Sequence, residues 1–126
     1  MNIFYLDPLP RTCAQMHCDK HVVKMIVETA QMLSTAHRFL SPASYCEDNN
    51  LYQVSFQHHP STKWCMKTTG NYLWLARLFD ELNTEYWFRF GSKHEPPRMH
   101  KASSMSQALG RAPLRIPEGP FSAPPQ

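Results

Sequence analysis

An all-α fold, a compact bundle of two long helices with a short third one, is what this sequence predicts, and three observations carry that prediction. Two segments, 11–40 and 59–90, repeat apolar residues at three- and four-residue spacing, the period of an α-helix packed along one side. The stretches between them are punctuated by proline, glycine and small polar residues rather than filled by alternating strand patterns. At 126 residues there is material for one hydrophobic core and not for two. A single helical domain is therefore expected over 1–110, with a Pro-rich extended tail over 111–126.

At the N-terminus, residues 2–6 alternate apolar and aromatic side chains, which suits a short strand or an extended arm, and Asp7-Pro8-Leu9-Pro10 ends it. The first long helix is expected to start near Arg11 and run to about Leu40. Its apolar set is Val22, Met25, Ile26, Thr29, Leu33, Ala36 and Leu40. Ser41-Pro42 stops it, and the polar run through Glu47, Asp48, Asn49 and Asn50 reads as a loop. His59-Pro60 opens a second helical region, because proline's missing N–H costs nothing at a first helical position. Gly70 is where that region is expected to be interrupted. Beyond it Leu75, Leu78, Phe79, Leu82 and Tyr86 form one face, Arg77, Glu81, Glu85 and Arg89 another, and Gly91 supplies the stop. The apolar faces of the two long helices need a partner, so they are expected to pack together and bury Leu33, Leu75, Leu78 and Leu82. A short helix over 101–109 ends at Gly110. Five prolines after it make the tail either an extended strap over the surface or disordered.

Composition excludes some classes of function. No apolar run approaches the roughly 20 residues that span a bilayer. The first residues also lack the basic and long apolar regions of a secretory signal, so a cytoplasmic protein is expected. Cys13, Cys18, Cys46 and Cys65 read as free thiols, since a chain with this much helical apolar material needs no stapling. A formal charge of +3 with seven histidines favours an anionic partner such as nucleic acid or a nucleotide. No cofactor motif is present, none is expected, and the sequence does not fix an oligomeric state.

The residues with most chemistry lie on the first long helix. At about 100° per residue, His17, His21, Lys24, Glu28, Gln31 and Thr35 fall within about 40° of one line, opposite the apolar set. A solvated helix face would look the same. What sets this stripe apart is that histidines, a lysine and a glutamate include proton-transfer groups and an anion binder. Cys13, His17, Cys18 and His21 also raise a metal reading. Cys18 lies on a different side of the helix from His17 and His21, and no CxxC or HExxH accompanies them, so no metal is expected. In the second region, His59 and Trp64 suit either a helix cap with a packed indole or a surface that stacks a base, and Asn71 is a further candidate. The cluster Lys93, His94, Arg98, His100 and Lys101 is either a solvated loop or a phosphate holder.

The run Cys13-Ala14-Gln15-Met16-His17, then His59-Pro60-x3-Trp64, then Glu85-Tyr86-x2-Arg89-x-Gly91 resembles the bacteriophage pyrimidine-dimer DNA glycosylase superfamily. The opening MNIFYLD and the segment HCDKHVVKM resemble small uncharacterised phage relatives of it, which continue past the PPQ that ends this chain. The resemblance implies a compact helical fold whose first helix faces nucleic acid, in the host cytoplasm if the chain is phage-encoded. It also implies chemistry that uses an N-terminal amine as nucleophile, through a Schiff base at the sugar, with a glutamate on that helix. Two positions depart from the pattern. Asn2 is too large for efficient removal of Met1, and matching His17 to the family's first histidine puts Lys24 at the glutamate position, with Glu28 one turn later.

These readings combine into one expectation: a phage-type, nucleic-acid- or nucleotide-directed protein that, if catalytic, acts at an N-glycosidic bond. Glu28 would stabilise an oxocarbenium-like sugar, and His17 or His21 would move a proton. Lys24 would hold phosphate or, if desolvated, form a Schiff base. Gln31, His59, Trp64, Asn71 and Arg89 would complete the ligand site, with His59, Trp64 and Asn71 closing its second wall. The alternatives are a non-catalytic anti-defence protein that sequesters a nucleotide, and an interaction module with no small-molecule site.

Overall fold

The structure is a computed structural model that describes residues 2–126. Met1, expected to be retained because of the size of Asn2, lies outside the described residues. The elements in order are α1 (Pro10–Gln15), α2 (Asp19–Leu40), α3 (Ala43–Asp48), α4 (Pro60–Lys67), α5 (Thr69–Arg89) and α6 (Ser106–Leu109), with 3₁₀ turns at Gly91–Lys93 and Lys101–Met105. No strand occurs among the described residues.

The two long helices, α2 and α5, pack antiparallel: Asp19 at the start of α2 meets Arg89 at the end of α5, and His37 near the end of α2 meets Tyr72 near the start of α5. Leu33, Leu75, Leu78 and Leu82 are buried between and around them, as their periodicity required, together with Val22, Ile26 and Phe79. Removing one such side chain from water contributes about 2 kcal/mol. Surface ion pairs such as Arg38–Glu47, whose carboxylate side chain is 68 % exposed, contribute about 0–1 kcal/mol. The α2–α5 seam is therefore the main source of stability.

Three sequence expectations need correction. The helix expected over 11–40 is two helices, separated at Met16, His17 and Cys18. Pro10 occupies the first position of α1, and Cys18, in extended conformation, starts α2. The break is closed by a distant residue: the Arg89 guanidinium donates to the carbonyls of Gln15 (3.0 Å) and His17 (2.7 Å) and to the Asp19 carboxylate (3.1 Å). The second correction concerns the expected loop after Pro42, which contains α3. Cys46 buries there, the Tyr45 hydroxyl donates to the Ala108 carbonyl, and the Asn49 amide caps the Tyr45 carbonyl. Third, the second helical region breaks at Thr68 rather than at Gly70. Thr68 Oγ1 caps α5 by accepting from the Asn71 N–H at 3.1 Å.

The N-terminal arm is extended, with Ile3 buried in the core. The C-terminal segment is an ordered strap across the start of α5. Pro117 and Gly119 carbonyls accept from the Thr69 and Gly70 N–H groups at 3.0 Å each. Gly70 is required there: a Cβ would lie 2.3 Å from the Phe121 nitrogen. The Phe121 ring completes an aromatic cluster with Tyr5, Trp64 and Trp74.

Candidate functional site

Of the six stripe residues, the five from His21 to Thr35 keep the helical register assumed for them, because α2 is continuous from Asp19. His21, Lys24, Glu28 and Gln31 follow at three- and four-residue steps and share one face. Lys24 Nζ stands 3.7 Å from Glu28 Oε2; the lysine side chain is 63 % exposed and the glutamate side chain 16 %. A hydrated cation thus stands one turn from a sheltered carboxylate. This exposure gives Lys24 none of the burial that a Schiff-base amine requires.

His17 and Thr35, the two ends of the stripe, have other surroundings. His17 belongs to the turn between α1 and α2 and is buried. Its Nδ1 faces the Cys13 carbonyl at 2.8 Å, which fixes Nδ1 as the donor and leaves Nε2 as a bare acceptor with no hydrogen-bond partner among the described residues. Burial lowers its pKa, opposed by the bond to the Cys13 carbonyl, while the charges of His21 and Arg89 lower it further. The ring is therefore neutral near pH 7, able to accept a proton at Nε2. Thr35 is fully buried beneath residues 51–57, and its hydroxyl bonds the Ser55 backbone.

The arm supplies a contact that the periodicity of α2 does not announce. The Phe4 ring stacks on His21 (centroids 4.4 Å apart, planes at 11°) and meets His17 edge-on at 5.8 Å. The Phe4 carbonyl accepts from the Cys13 thiol at 3.1 Å, tying the arm to α1. Both histidines are thereby held in orientation. The only sequence signal for this was an aromatic residue in an arm too short to pack on itself.

The residues expected to close a second wall are engaged elsewhere. His59 Nδ1 accepts from the Ser61 N–H and caps α4. The Trp64 indole N–H donates to the Ser122 carbonyl at 2.9 Å. The buried Asn71 donates to the Trp64 carbonyl at 3.0 Å and accepts from the Ser122 N–H at 2.8 Å. Their polar atoms hold the strap. Arg89 is likewise committed: besides bracing the α1–α2 turn, it pairs with Glu85 at 2.9 Å.

At the opposite end of α2, a cleft of about 450 Å³ is lined by His37, Ser41, Tyr45, Asp48, Arg111 and Leu114, among others. Its histidine is fully bonded. The Ser41 hydroxyl donates to Nδ1 at 2.7 Å, and the Nε2–H faces the Arg111 carbonyl (2.9 Å) and the Tyr72 oxygen (2.8 Å). Among the described residues, no group of three or more His, Cys, Asp or Glu side chains is placed to hold a metal ion. No helix among the described residues is long and apolar enough to cross a membrane.

In comparison with known proteins, a family model described as pyrimidine dimer DNA glycosylase matches residues 1–97. The match takes in the arm, both long helices and every residue of the stripe, and ends before the strap. No curated protein and no solved structure matches the chain.

Proposed function

Since the chain belongs to the pyrimidine dimer DNA glycosylase family, we propose that it acts on nucleic acid at an N-glycosidic bond, with the exposed half of α2 as its working face. The observation that supports this most directly is the Lys24–Glu28 pair, in which an accessible cation stands beside a carboxylate that is mostly out of water. Breaking a glycosidic bond sends the bonding electrons off with the base and leaves an oxocarbenium-like sugar. An anionic carboxylate stabilises that sugar, the more so where water is scarce. Glu28 has that role in this reading. Lys24 takes the neighbouring phosphate as a point charge, which its exposure suits.

A water adds to the oxocarbenium-like sugar as the base leaves; His21, held under Phe4, moves the proton that the departing base requires, or His17, at its buried and unpartnered Nε2, accepts the one that the water gives up. Gln31, one turn past Glu28, is in reach of the same ligand. Arg89, His59, Trp64 and Asn71 act as scaffold, the first by fixing the turn that carries His17 and the others by anchoring α4 and the strap.

The test is formation of abasic sugar in ultraviolet-irradiated and unirradiated DNA, read with an aldehyde-reactive probe. The parent protein should form it, and Glu28→Gln should lower the rate by about a hundredfold or more while still binding, because the amide carries no charge and takes no proton. Stoichiometric binding that returns the nucleotide or DNA intact would replace this reading with the sequestering one.

A further inference from the structure

Phe56 combines two features that oppose folding. It is 61 % exposed, and its backbone sits at φ 50°, in the left-handed region where a Cβ is crowded. Among the described non-glycine residues only Asn50 shares a positive φ, and asparagine tolerates that region. Glycine or asparagine would serve the same turn without strain, so the turn alone does not call for an aromatic ring.

The surrounding backbone holds the strained conformation in place. On one side Thr35 Oγ1 clamps Ser55, accepting from its N–H at 3.1 Å and donating to its carbonyl at 3.3 Å. On the other the Phe56 carbonyl accepts from the His59 N–H at 3.0 Å, closing the turn into α4. Strain that is over-determined in this way points to function.

The ring's neighbourhood is suited to nucleic acid. Gln57 and His58 follow it, the Gln57 amide donating to His58 Nε2 at 3.1 Å. With Phe39, Lys63 and Met66 they line a cleft of about 270 Å³. Thr35, which carries the clamp, lies two turns beyond Glu28 on the same face of α2, about 10 Å along the helix axis. That is about three base steps of a duplex. A base in a duplex must leave the stack before its glycosidic bond can be reached, and apolar wedges are a known way to open a step.

We propose that Phe56 is a wedge that enters the base stack about three base steps from the nucleotide on which Glu28 acts, opening the duplex in which that nucleotide lies. Gln57 and His58 offer hydrogen bonds to base edges, and Lys63 offers a cation to phosphate. The proposal rests on the reading of this chain as a protein that acts on nucleic acid.

A short duplex carrying 2-aminopurine, whose fluorescence rises on unstacking, tests it with the parent protein, Phe56→Gly and Phe56→Trp. The parent should bind and raise the fluorescence. Phe56→Gly, which relieves the backbone strain, should melt no lower than the parent, abolish the fluorescence rise and weaken binding by about tenfold, the value of one base–aromatic stack. Phe56→Trp should restore the rise. The wedge is overturned if Phe56→Gly leaves the rise intact, if it melts clearly lower, or if it changes only the oligomeric state, which would make the ring a protein contact. A parent that forms abasic sugar with no dependence on residue 56 overturns the wedge alone, whereas a parent that binds no duplex overturns it together with the functional reading.

Discussion

The two halves of α2 carry similar residues in different surroundings. Both contain histidine, and hydroxyl or charged groups at helical spacing. From Thr29 to His37 the chain is buried on nearly every side, enclosed by residues 51–57, α3, α4, α5, α6 and the strap. From Asp19 to Glu28 one face stays open, with Lys20, Val23 and Lys24 exposed. In the closed half the histidine is consumed by Ser41, Tyr72 and Arg111. In the open half His21 is stacked by a ring from the arm, and Lys24 and Glu28 pair one turn apart. Residue type alone therefore does not distinguish a structural histidine from a working one. The backbone segments that come to lie over each half do.

The comparison implies that substitutions in the closed half act on stability and those in the open half on function. The largest expected effect on stability is at Leu33, which is fully buried where α2 meets α5. Leu33→Ala should lower the unfolding free energy by about 2–5 kcal/mol, through lost transfer energy and the cavity it leaves. Urea denaturation measures this. A loss below about 1 kcal/mol would mean that the closed half is not the core of the molecule.

Next in size is the pH dependence carried by His37. Burial pushes its pKa from 6.5 down to about 4, opposed only by the bond to the Arg111 carbonyl. With the folded pKa below the unfolded one, the unfolded chain binds the proton more readily. The stability contributed by neutral His37 is therefore full above pH 6.5 and is lost as the pH falls toward 4, by as much as about 3 kcal/mol. His17 shifts in the same direction for the same first cause. The urea midpoint should drop across that window, and His37→Gln, though weaker at pH 7, should show a visibly shallower drop. Equal drops would break the assignment of His37 to the closed, structural half.

Much of this was legible in the amino-acid pattern, and what was not has identifiable causes. The two long helices, their mutual packing and the burial of Leu33, Leu75, Leu78 and Leu82 follow from periodicity, which is local. The open face from His21 to Glu28 follows from the same spacing. The break at His17 does not, because it is held by Arg89, far along the chain, whose bonds to the Gln15 and His17 carbonyls cannot be read from either segment alone. Thr35 looked like part of the polar stripe because nothing in α2 announces that residues 51–57 will lie over it. The helix α3 was hidden by its polar end, and the strap's use of Trp64 and Asn71 by its length and proline content. Phe4 escaped because an arm's contacts are set by the surface it crosses.

The smallest expected effect on stability, and the sharpest test of the open half, is at Lys24. Its ammonium is mostly hydrated, and its ion pair with Glu28, one turn away, is long at 3.7 Å. Exposed helix pairs of this kind contribute about 0.3–0.5 kcal/mol, so Lys24→Met, which keeps most of the bulk and removes the charge, should change the unfolding free energy by no more than about that. Binding should respond differently. If Lys24 neutralises one phosphate, the variant should bind DNA more weakly at every sequence, and the slope of log affinity against log salt should fall by about one unit, the signature of one fewer released counterion. Melting curves and salt titrations on the same preparation read the two effects separately. An unchanged slope would remove Lys24 from the binding face, and with it the distinction drawn between the two halves of the helix; a lowered slope with an unchanged melting point would place a functional group where the fold spends almost no stability on it.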